Sequence, residues 1–170
     1  ITVNSKPSGH KNDWFGVDTD SNTLYAGFNN AGAQRQLYRN KKPPSGKVFR
    51  ELLQNYFISL ETAVVRRAAI ETLDEMFDPR FSAIEEYDLF VRLSHAWELH
   101  YVDAVLAKWR VHGASWTWTR ASLFGAERRL FLEKLEAFEP NLRQLYAGEY
   151  KNLIRICDFE DACVLWRRGN

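Results

Sequence analysis

The sequence predicts an α+β domain, mostly helical with a small β-sheet. Three observations point there. Apolar residues recur at helical spacing through much of the chain after residue 45. Two short stretches, near 13–28 and 98–112, alternate instead like strands. Proline and glycine punctuate the chain at NKKPPSG (40–46), FDPRF (77–81) and Pro140. The chain has 170 residues, 45% hydrophobic and 26% charged, which suits a globular domain with a sizeable core.

Each element has its own signal. DWFGVDTDSNTLYAGF (13–28) reads as two short strands around a polar turn at Asp20-Ser21-Asn22. A first helix is expected from near Ser45, with Val48, Leu52, Leu53 and Tyr56 on one face. ISLETAVVRR (58–67) reads as a short buried strand closed by Arg66 and Arg67, and AAIETL (68–73) as helix. FDPRF is a turn. A helix runs from about Glu85 to Trp97, and 98–112 reads as strand, turn, strand. Residues 119–138 form a long amphipathic helix through Leu123, Leu130, Leu132, Leu135 and Phe138. One or two further helices follow Pro140. No internal repeat or low-complexity segment is present.

Composition excludes some functions. A net charge of +1 offers no field to gather nucleic acid or an anionic membrane. No apolar run approaches the roughly 20 residues of a membrane span. The start, ITVNSKPSGHKND, has neither an initiator Met nor an apolar leader core, so a cut piece of a longer protein is expected. Cys157 and Cys163, six residues apart on one expected helix, point in different directions and would bridge poorly. A reducing cytoplasm is the default. Aromatic residues reach 14%, with six Trp, which fits a dense core or a surface that stacks on rings.

The candidate chemistry centres on FSAIEEYDLFVRLS (81–94). On a helix Asp88 and Arg92 are four apart, and Glu85 and Asp88 three apart, so these share a face and Asp88 pairs most simply with Arg92. Glu86 lies on another face, with Leu89, Phe90 and Leu93. Two readings stand for Glu85 and Glu86. They complement the positive end of the helix, or Glu86 is a general base whose pKa partial burial would raise. Asp18 and Asp20 form a D-x-D that suits a divalent cation or, more simply, a hairpin turn. His112, after an expected strand and before Gly113, could ligate a metal or phosphate or make a structural hydrogen bond. Trp116 and Trp118 could stack on a sugar or fill the core. No phosphate-binding glycine loop, nucleophile elbow or zinc-protease motif occurs.

The order of motifs resembles the later half of family 2 glycosyltransferases, inverting enzymes with a GT-A fold. The family shows a glycine-led helix, a strand ending in paired arginines, F-D-x-x-F, an E-D-Y-D-L-W-x-R-L helix start and then Y-V-D-x-x-L-x-x-Y-R-x-H-G-x-S. The corresponding elements here occur in order over residues 46 to 115. The resemblance implies a partial GT-A fold over 1–115 and a helical extension over 116–170. Glu86 takes the place of the catalytic base, where the family usually has Asp, and Glu85 would orient the site or contact the acceptor. Arg66, Trp116 and Trp118 are the implied substrate contacts. His112 matches the histidine near the diphosphate and its metal.

The family's opening strand and donor-binding D-x-D have no counterpart at the expected place; Asp18-Thr19-Asp20 comes too late. The chain therefore resembles an acceptor-side piece that would not transfer sugar alone. In the intact enzyme the resemblance implies Mn²⁺ or Mg²⁺, a nucleotide-sugar donor and a glycan or lipid-linked acceptor. It implies polysaccharide or glycoconjugate synthesis in the cytoplasm or at the inner face of the membrane. The piece itself would bind no metal tightly and contact no nucleic acid, and with sheet edge and apolar surface exposed it would either self-associate or rearrange its N-terminal strands. The alternatives are a non-catalytic glycan- or protein-binding module, a helical interaction domain, and a glycoside hydrolase. The last needs two carboxylates facing each other across a bond, and adjacent side chains on one helical turn diverge.

Overall fold

The structure is a computed structural model that describes residues 23–25, 43–102 and 120–167. The chain divides into two compact units, one within Ile1–Met76 and Leu89–Val111, the other within Phe77–Asp88 and His112–Asn170. The helix-rich expectation stands. The larger sheet of a GT-A domain is not seen among the described residues, and the expected boundary at 115–116 lies outside them.

In the first unit, strand β1 (Thr23–Tyr25) pairs in parallel with β2 (Glu98–His100), Leu24 opposite Leu99. The other edge of β2 meets Gly46. Leu99 and Gly46 exchange both main-chain hydrogen bonds, at 2.6 and 2.8 Å. Ser45 adds to this contact, its hydroxyl donating to the Leu99 carbonyl at 3.3 Å and lying 3.0 Å from His100 Nδ1. Ser45 and Gly46 thus serve the strand, and helix α1 (Phe49–Gln54) begins later than the apolar spacing suggests. It buries Phe49, Leu52 and Leu53. Gly46 has φ +86°, a conformation that costs other residues steric strain.

Residues 58–67 do not form the expected strand. A 3₁₀ turn spans Leu60–Thr62 instead. Thr62 explains it: its N–H and its hydroxyl both donate back to the Ser59 carbonyl, at 2.9 and 2.7 Å. That local bond competes with extended pairing. Helix α2 (Arg67–Ile70) is likewise shorter than AAIETL promised, because Thr72 donates its hydroxyl back to the Ala69 carbonyl at 2.6 Å where the helix ends.

Helix α3 (Glu85–Ala96) matches expectation closely. Every residue from Tyr87 to Ser94 is buried, including Asp88 and Arg92. A helix buried on all sides must satisfy its polar side chains internally. In the second unit, a 3₁₀ turn (Ala121–Leu123) leads into α4 (Phe124–Phe138), followed by α5 (Leu142–Leu145) and α6 (Ala147–Arg167). Gly125 lets α4 approach α6: a Cβ there would stand 2.5 Å from Asp161 Oδ1 and 3.4 Å from Glu160 Cβ. Arg128 bonds Glu160 at 3.0 and 3.1 Å, and Arg129 bonds Asp158 and Asp161. Cys157 and Cys163 are free thiols, as their spacing on α6 requires. No helix among the described residues is long and apolar enough to cross a membrane.

Gly46 and Gly148 should respond differently to alanine. Gly46→Ala should cost about 1–2 kcal/mol from positive-φ strain. Gly148→Ala, where an added Cβ meets nothing within 4 Å, should cost nothing measurable. Denaturant unfolding of both variants checks this, and equal midpoints would contradict the role given to Gly46.

Candidate functional site

The acidic helix start is held by a carboxylate from a distant helix. Glu127, buried in α4, accepts the Ser82 N–H at 3.1 and 3.0 Å, the Ser82 hydroxyl at 2.9 Å, the Ala83 N–H at 2.8 Å and the Ile84 N–H at 3.2 Å. Three successive peptide N–H groups entering a helix make an anion-binding concavity. Here the protein fills it from within. The Asp88 N–H then donates to the Ile84 carbonyl at 3.1 Å, the first bond of α3.

Just before this point FDPRF makes the expected turn. The Phe81 N–H donates to the Asp78 carbonyl at 3.1 Å, and Asp78 Oδ1 accepts the Arg80 N–H at 3.0 Å. Aspartate suits this place because its side chain can close on the backbone two residues on. Arg80 also grips the Asp78 carboxylate side-on, at 2.7 to 3.2 Å. Lys134 of α4 reaches between Asp78 Oδ2 at 2.9 Å and Asp88 Oδ2 at 3.0 Å. Its ammonium also lies 5.5 Å from the centre of the Phe81 ring. The Arg80 hydrogen bonds hold the Asp78 carboxyl well below the usual carboxylate range, helped by Lys134 and opposed by burial. Tyr87 packs on Phe131, ring centres 4.6 Å apart, the Arg128 guanidinium lies 5.4 Å from its ring centre, and burial pushes its hydroxyl far up.

The expected site residues sort as follows. Glu85 and Glu86 open α3 and stay half-buried. Glu85 Oε2 is itself buried and accepts no hydrogen bond among the described residues. Asp88 takes Lys134 as an ion-pair partner, a residue sequence reasoning did not consider. Arg92 donates to the carbonyls of Glu75 at 2.8 Å and Met76 at 3.0 Å. Arg66 belongs to the first unit, half-buried, its carbonyl accepting from Ala69 and Ile70 at the start of α2. His112, Trp116, Trp118, Asp18 and Asp20 lie outside the described residues. The described residues contain no cluster of three or more His, Cys, Asp or Glu that could hold a metal, and no step proposed for this chain passes through one.

Glu127 and Lys134 were the missed residues. A signal for Glu127 existed: it sits four residues before Phe131 and eight before Leu135, within the apolar seam of α4. A carboxylate there needs a buried donor.

Set against family models, curated proteins and solved structures, the chain matches none.

Two substitutions test the framework. Glu127→Ala should destabilise by about 2–3 kcal/mol, since it strands several N–H groups, and Glu127→Gln should cost less. Lys134→Met should cost about 2–4 kcal/mol by leaving Asp88 charged and buried, and adding Asp88→Asn should recover part of the loss. Thermal unfolding of the single and double variants reads this directly.

Acid gives a further check. The Asp78 pKa is lowered on folding, so its stabilisation is present above the unfolded value of about 4. It is lost as pH falls below that value toward the folded one. The wild type should therefore lose stability steadily below about pH 4, and Asp78→Asn should flatten that slope.

Proposed function

We propose that the chain is the acceptor-side part of an inverting, family 2-like glycosyltransferase, with Glu86 as the base. The motif order over residues 46 to 115 supports this reading. The observation that carries it is the Glu127 carboxylate at the start of α3. Acids in a first helical turn are ordinarily explained as counter-charges to the helix dipole. Here a counter-charge already arrives from α4. Glu85 and Glu86 then place two further carboxylates beside a helix start that already has one, which favours a role for Glu86 in chemistry.

In this reading Glu86 takes the proton from an acceptor hydroxyl as its oxygen attacks the anomeric carbon of a nucleotide sugar. The nucleoside diphosphate leaves from the opposite face and the configuration inverts. The donor, its diphosphate and a divalent cation belong to a donor half of the intact enzyme, in a partial GT-A architecture shared with this chain. Arg66, Trp116 and Trp118 are the proposed substrate contacts. The setting is polysaccharide or glycoconjugate synthesis at the cytoplasmic side, with a glycan or lipid-linked acceptor.

Titration of this chain with nucleoside diphosphates, with and without Mn²⁺, should show no binding. Metal-dependent binding would instead place a donor site here and sink the half-enzyme reading. In the full-length protein, Glu86→Gln should lower turnover by about 10²–10⁴-fold while leaving donor binding unchanged. Retained turnover would remove Glu86 from the chemistry.

A further inference from the structure

Helix α6 presents an apolar stripe to solvent near its C-terminal end. Phe159 is 69% exposed and Trp166 is 83% exposed. Arg155 and Ala162 are exposed as well. These four residues recur at intervals of four, three and four, so they fall along one narrow face of the helix. Leu165, 51% exposed, flanks them. Large aromatics left so open on a folded helix mark an interaction surface more often than chance.

The stripe is self-complementary. It can be turned end for end about a two-fold axis between Phe159 and Ala162. Phe159 then lies level with the second copy's Ala162, a large side chain over a small one. Arg155 lies level with the second copy's Trp166, a guanidinium over an indole face. Each contact occurs twice, as a two-fold interface requires. No other residue order is needed: large, small, cation and aromatic already match.

We propose that a second copy of this chain docks antiparallel on this stripe of α6, Phe159 over Ala162 and Arg155 over Trp166. The stripe spans about 16 Å of helix, so the buried area falls below that of a standard stable interface. The dimer is accordingly weak and transient, and its surface is a helix face rather than a sheet edge. The proposal stands independently of the glycosyltransferase reading.

Sedimentation velocity on the full chain, from low micromolar to near-millimolar, tests it. The mass should rise toward that of two chains. Trp166→Lys sets a lysine against Arg155, and Arg155→Glu removes the cation. Each variant alone should need at least about fivefold more protein to dimerise, the effect of roughly 1 kcal/mol. Mixed together, the two variants should recover dimerisation, because Lys at 166 then meets Glu at 155 on one side and the native pair survives on the other. Both sites are exposed, so folding is not at stake. A monomer at every concentration overturns the proposal. So does a dimer indifferent to both variants, and so does failure of the mixture to recover.

Discussion

The second unit hangs on the Glu127 carboxylate. Four hydrogen-bond donors from three successive residues, Ser82 to Ile84, converge on its two oxygens. Three of them are main-chain groups just ahead of a helix, where nothing within the helix can take them. Without an internal acceptor they would need water. With Glu127, the segment that carries FDPRF and the start of α3 is fastened to α4. The ion pairs of Lys134 with Asp78 and Asp88 repeat the same connection one side chain further along. Two buried acids and one lysine are costly to desolvate, and they persist because Asp78 accepts from both Arg80 and Lys134 while Lys134 donates to both acids.

The α4–α6 seam follows a different rule. There the approach is set by the absence of a side chain at Gly125, and then sealed by charge: Arg128 to Glu160, Arg129 to Asp158 and Asp161. The Arg129 pairs are exposed, and pairs of that kind add little stability singly. Their joint effect is on register, since Arg128 must meet Glu160 while Arg129 meets Asp158 and Asp161, about one helical turn apart. Below them Glu136 accepts from Tyr150 and from Arg143, and those bonds lower its carboxyl and raise the tyrosine.

Helical periodicity made α3 and α4 legible in sequence, because long apolar repeats leave few other solutions. The stretch 58–67 was misread because its apolar residues suited a buried strand. A single threonine decided otherwise: Thr62 bonds its own turn, an effect of one hydroxyl that a window average cannot register. The start of α1 was misplaced for a related reason. Gly46 is engaged with Leu99, far along the chain. Of the candidate site, the positions of Glu85, Glu86 and Asp88 on one helix start were legible. Their supports were not, since Lys134 lies 46 residues from Asp88 in sequence. Local spacing pointed to Arg92 for Asp88, and long-range packing brings in Lys134 as well.

Among the acids of this region, the fold itself narrows which could exchange a proton in a reaction. A catalytic base must gain and lose a proton repeatedly without disturbing what holds it. Asp78 cannot, because protonation would loosen Arg80 and Lys134 together. Asp88 shares that lysine and is 1% exposed, so an acceptor has no path to it. Glu127 is spent on the backbone donors. Glu85 and Glu86 are left, both half-buried at the mouth of the helix. Of the acids of this region, Glu85 and Glu86 are the two that open the helix and keep half-buried side chains.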